Sequence, residues 1–98
     1  SEPWLDNIRQ EFDEKAIKAL QFQLEHLAEL KLWKEVNETA KSILSVDPFN
    51  ETAFGYRLKA LKITKGAEYS KQVYKSFQID YQNALGEEYP MDFETASK

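Results

Sequence analysis

The sequence contains no cysteine. That absence excludes disulfides, thiolate nucleophiles and cysteine-type zinc sites together, and it fits a reducing, cytoplasmic setting. Glycine and proline are scarce, three of each in 98 residues. All-β domains draw heavily on both for turns, so few breakers point to a few long helices. No apolar run approaches the roughly 18 residues that a membrane helix needs. Positive charge is also short: 13 Lys and Arg stand against 17 Asp and Glu, a net charge of -4. A phosphate-binding surface usually concentrates basic side chains, and the densest group here is Lys59, Lys62 and Lys65. Direct DNA binding by this chain is therefore not expected. The chain starts Ser1-Glu2-Pro3 without Met or a basic-apolar leader and is expected to be part of a longer protein.

What is present is helical patterning at single-domain length. Pro3 and Trp4 suit a first helical turn. Leu5, Ile8, Phe12, Ala16, Leu20, Leu24 and Leu27 then recur in steps of three and four, predicting a helix of about 40 Å to near Leu30, with Asp13 able to cap a new start within it. Leu32, Val36, Ala40, Ile43 and Leu44 predict a second helix, stopped at Asp47-Pro48. Asn50 is a suitable N-cap for a third, carrying Ala53, Phe54, Leu58 and Leu61 and ending by Gly66. A fourth begins near Glu68 with an aromatic stripe, Tyr69, Val73, Tyr74, Phe77, Tyr81 and Leu85, and stops at Gly86. At this spacing the stripe is expected to be core. Residues 1–86 thus form the helical domain, and 87–98 are expected to be a polar tail in which Asp92 can cap the start of a further helix.

Shifting the chain by 34 residues overlays Leu20 on Phe54, Leu24 on Leu58, Leu27 on Leu61, Ala40 on Tyr74 and Ile43 on Phe77; Val36 on Ser70 is the poorest pair. That period belongs to the tetratricopeptide helix-turn-helix unit, whose hairpins stack because none can bury its apolar side alone. The expected fold is all-α, a tetratricopeptide-like right-handed stack of about four antiparallel helices in two hairpins. Of the positions where such repeats carry small residues, here Leu24, Val36, Leu58 and Ser70, only Ser70 is small.

A narrower resemblance covers nearly the whole chain. Pro3-Trp4-Leu5, the junction Leu44-Ser45-Val46-Asp47-Pro48-Phe49-Asn50-Glu51, Gly66, Tyr74 and the ending Ala84-Leu85-Gly86-Glu87-Glu88-Tyr89-Pro90 together resemble the bacterial transcriptional activator domain of the antibiotic regulatory protein family. The ending carries one extra residue before Pro90. The resemblance implies a regulatory domain that follows a winged-helix DNA-binding domain, sometimes with a response-regulator receiver of a two-component system. It implies contacts with protein, by self-association or with other domains, and DNA contact only through a separate domain.

Candidate chemistry is sparse. His26 has no partner His or Cys for a metal or a triad. Asp13-Glu14 and Glu87-Glu88 are adjacent pairs that point apart on a helix. Asp47 and Asp80 lack the clustered acidic site of a phosphoacceptor, and Asp47 reads as part of a turn. No catalytic residue, cofactor, metal or membrane contact is expected. Gly55 is the oddity, because glycine inside a helix costs ~1 kcal/mol relative to alanine. In the repeat register it faces an inner groove with Lys59 and Lys62, opposite Lys18, Gln21 and Glu25. That groove is expected to accept a backbone or an acidic segment over Gly55, or else Gly55 serves the approach of two helices. Phe22 and Trp33 stand as exposed interface anchors or as packing against a neighbouring hairpin. The function expected is a non-enzymatic interaction domain of a bacterial transcription regulator. A free-standing tetratricopeptide scaffold or adaptor, binding a peptide in the groove, is the alternative. A hydrolase or transferase fragment would need nucleophile and base sets that the sequence does not offer.

Overall fold

The computed structural model describes the backbone of residues 3–98 and the side chains of residues 13–98. Among the described residues five helices follow in order: α1 Pro3–Glu29, α2 Trp33–Val46, α3 Glu51–Lys65, α4 Ala67–Leu85 and the single turn α5 Phe93–Ala96. The two hairpins α1–α2 and α3–α4 stack in the tetratricopeptide-like manner the 34-residue overlay predicts. α1 continues through Asp13 without the break considered there. Trp4, Leu5, Ile8 and Phe12, at the head of the expected stripe, have side chains outside the described residues.

Each junction has a local cause. α1 closes on Lys31 at φ 59. The Leu32 N–H donates to the Leu27 carbonyl and the Lys31 N–H to that of Ala28, both at 3.0 Å. This is the Schellman closure, with lysine where glycine is usual. At the second junction the Asn50 carboxamide oxygen accepts the Ala53 N–H at 2.9 Å, and its NH2 donates to the Asp47 carboxylate at 3.2 Å. That pair caps α3 and locks the turn that Pro48 begins. Gly66 and Gly86 both take positive φ, 98 and 74, and end α3 and α4.

α3 is the central element and divides the core. Towards α1 and α2 it presents Ala53 and Ala60 to Leu24, Val36, Ala40 and Ile43, all fully buried. Ala40, Ala53 and Ala60 give this contact the small side chains that the repeat's usual positions lack. Towards α4 it presents Phe54 and Leu58 to Tyr74 and Phe77. Phe54 and Phe77 stack at 3.7 Å. Ser70, the poorest pair of the overlay, is fully buried at the α3–α4 crossing, and its hydroxyl donates to the Leu58 carbonyl at 2.8 Å. The aromatic stripe of α4 is core only in its middle: Tyr69 and Leu85, at its ends, are exposed.

Packing does not stop at Gly86. Residues 87–98, expected to be a polar tail, place Tyr89, Phe93 and Ala96 in the aromatic cluster. Tyr89 meets Phe77 edge-on at 5.0 Å and Tyr81 at 5.3 Å. The Tyr74 hydroxyl donates to the Met91 carbonyl, and Asp92 caps α5 through the Thr95 N–H at 2.8 Å. Burying each such large apolar side chain is worth ~1.5–3 kcal/mol, so this segment is a structural part of the domain.

Candidate inner-face groove

The six expected groove residues lie on two helices that share a face, but they do not form one site. On α1, Lys18 and Glu25 are exposed, and Gln21 is half-buried. The Gln21 carboxamide donates to the Asn50 oxygen at 3.4 Å, a long bond that ties α1 to the cap of α3. Glu25 and Glu29 lie close enough to Tyr56 on α3 that, after burial itself, their charges raise the Tyr56 phenol above its ordinary pKa.

On α3 the set divides. Gly55 and Lys59 line an open recess of about 330 Å³ with Thr52, Tyr56, Thr95 and Lys98. Lys62 is turned to the opposite flank of α5, where its ammonium donates to the Ser97 hydroxyl at 3.0 Å and sits 5.6 Å from the Phe93 ring. Lys59 lies 5.5 Å from the Trp33 ring.

The place above Gly55 is filled by the chain itself. A Cβ built on Gly55 would come within 3.1 Å of the Ala96 carbonyl oxygen, so α5 sits against bare α3 backbone. The contact is that of the alternative reading, in which Gly55 serves the approach of two helices, here α3 and α5. Tyr89, Thr95 and Ala96 also line this recess and were not expected from the sequence. Part of the signal was there: Phe93 and Ala96 stand three apart behind the Asp92 cap.

The two candidate anchors separate clearly. Phe22 is 73% exposed on the outer side of α1, opposite buried Leu24. Trp33 is half-buried against the α1–α2–α3 cluster and covered by Lys59, so it is packing. His26 is exposed. Among the described residues no three His, Cys, Asp or Glu side chains are grouped to hold a metal, and no helix is long and apolar enough to cross a membrane. Asp47 serves the α2–α3 turn through Asn50. The arrangement offers backbone, hydroxyl, phenol and ammonium groups along a shallow face, which suits recognition of another polypeptide.

No curated protein and no solved structure matches the chain at a significant level. The family model of the bacterial transcriptional activator domain matches residues 1–91. With that model covering nearly all of its length, and with the helical stack it describes on hand, the chain belongs to the bacterial transcriptional activator domain family.

Proposed function

We propose that this chain is the non-enzymatic interaction and regulatory module of a bacterial transcription regulator, working in the cytoplasm beside a winged-helix DNA-binding domain. It uses no cofactor. It acts through protein contacts, with a second copy or with other domains of the regulator, including the receiver where the regulator is a two-component protein. DNA is read only by the attached domain. The observation that supports this reading is the open recess beside Gly55, lined by Thr52, Tyr56, Lys59, Thr95 and Lys98, whose hydroxyl, phenol and ammonium groups suit a polypeptide partner. The family's regulatory character supports it further.

The test is a titration of the isotope-labelled chain with the regulator's separately produced winged-helix domain. Expected are shifts at Gln21, Tyr56 and Lys59 on the inner face. A spectrum unmoved by that domain would contradict signal coupling. The same recess also favours the adaptor reading, in which a foreign peptide binds beside α5. Binding of unrelated acidic peptides as tightly as the regulator's own domain would decide for the adaptor. In either case, a gel shift with this chain alone is expected to show no duplex binding at physiological salt.

A further inference from the structure

α2 packs on α3 and α3 on α4, while α2 and α4 hardly touch. Between these two outer helices lies an open cleft of about 250 Å³, which shares no residue with the recess beside Gly55. Its floor is the stacked pair Phe54 and Phe77. Its apolar walls are Leu44 and Val73, both packed on the aromatic cluster, with Pro48 beside them.

Two charged side chains line this cleft, Arg57 from α3 and Asp80 from α4. Arg57 is half-buried, and its Nε is buried without a hydrogen-bond partner. Asp80 is exposed, one helical turn on from exposed Ser76, which lines the same cleft. Among the described residues neither charge is engaged in an ion pair. A buried donor without an acceptor is rare in folded chains and calls for one. A carboxylate answers a guanidinium best, because it can take Nε and an Nη together. Asp80 and Ser76 offer acceptor oxygens to a cation. The cleft thus presents one site for an anion, one for a cation and an apolar surface between helices.

We propose that the α2–α4 cleft binds a free α-amino acid with an apolar side chain of about leucine size. Its carboxylate lies on Arg57, its ammonium on Asp80 with Ser76, and its side chain on Leu44, Val73 and Phe77. Charge favours this zwitterion over a polypeptide, because the interior of a peptide carries neither charge and each of its ends only one. Size favours it too, since the cleft is smaller than the ~300–1,000 Å³ of pockets for drug-sized ligands. Leu44 belongs to the first hairpin and the other walls to the second, so the occupant bridges both hairpins and stabilises their stacking. This goes beyond the reading of the chain as an interaction module and does not rest on it.

Titration of the isotope-labelled 98-residue chain with L-leucine tests this. Saturable amide shifts are expected at Arg57, Val73, Ser76 and Asp80, together with a rise in the thermal midpoint. N-acetylleucine keeps the carboxylate but not the ammonium, and leucinamide the reverse. Each is expected to bind about tenfold more weakly or worse, as is glycine, which lacks the side chain. Arg57→Gln and Asp80→Asn are each expected to weaken leucine by about tenfold or more. Circular dichroism checks that both stay folded, and the exposed Asp80 can change without touching the core. N-acetylleucine or leucinamide bound as tightly as leucine would overturn the proposal, as would a folded Asp80→Asn variant with unchanged affinity. The absence of any saturable shift at millimolar leucine, or shifts at Tyr56 and Lys59 instead, overturns it as well. The winged-helix titration reads a different face and stands whichever way this one falls.

Discussion

Asn50 is the residue on which the fold turns most economically. Its side chain caps α3, holds Asp47 and receives Gln21 from α1. Asn50→Ala is expected to cost about 1 kcal/mol or somewhat more, within the ~0.5–2 kcal/mol range of lost N-caps, read as a shift in the urea midpoint. Lys31 carries the opposite potential. It holds a left-handed conformation at φ 59 that costs a side-chain-bearing residue ~1–2 kcal/mol. Lys31→Gly is therefore expected to raise stability by up to about 1 kcal/mol, and a lowered midpoint would contradict the Schellman closure drawn for α1. Phe54, fully buried between Phe77, Tyr74 and Tyr89, is expected to cost ~3–5 kcal/mol on truncation to alanine. The caps at Asn50, Gly66 and Gly86 were legible in the sequence because each answers a local need. The Lys31 closure was not, because lysine carries no signal for positive φ.

Among the elements, α5 is the one whose role the sequence concealed. Four residues cannot hold a helix in water, so α5 exists because α3 and the aromatic cluster receive it. Counting the charges of residues 87–98 hid Phe93 and Ala96, which share α5, and Tyr89, which packs from the irregular link before it. The 34-residue period recovered the two hairpins but reached no further, since the link from Gly86 to Asp92 breaks it. Gly55→Leu is expected to unseat α5 while α3 stays helical, because the added side chain meets the Ala96 carbonyl. Amide exchange at Ala96 and Ser97 would then rise to that of an unfolded end; unchanged protection there would contradict the close approach. The docking also has a pH signature. Hydrogen bonds from the Thr95 N–H and then its side chain, with Lys98 adding, hold the Asp92 carboxyl below its ordinary 3.8. Its contribution is complete above that value and lost as pH falls through the lowered one. Burial, followed by nearby negative charge from Asp92 at Tyr74 and from Glu51 at Tyr89, raises these two phenols above 10.0. Their contribution is complete below pH 10.0 and lost as pH rises through the raised values. Near-ultraviolet circular dichroism is expected to show the cluster loosening on the alkaline side in step with tyrosinate formation.

At the scale of the whole molecule, the thin stack of helices presents a shallow inner face. The groove set inferred from the repeat register was legible as a face but not as a site. Register places Lys62 beside Gly55, and only the return of α5 shows that Lys62 is engaged by Ser97 and Phe93. The inner face that stays open, at Thr52, Tyr56 and Lys59, is where the signal to the DNA-binding domain is expected to pass. The most direct measurement is a reporter assay in the full-length regulator, with operator occupancy read in the same cells. Tyr56→Ala with Lys59→Glu is expected to lower transcription about tenfold or more, equivalent to about 1.4 kcal/mol of lost coupling, with occupancy unchanged. Full transcription from that double variant at normal protein level would contradict the claim that this chain works through its inner face.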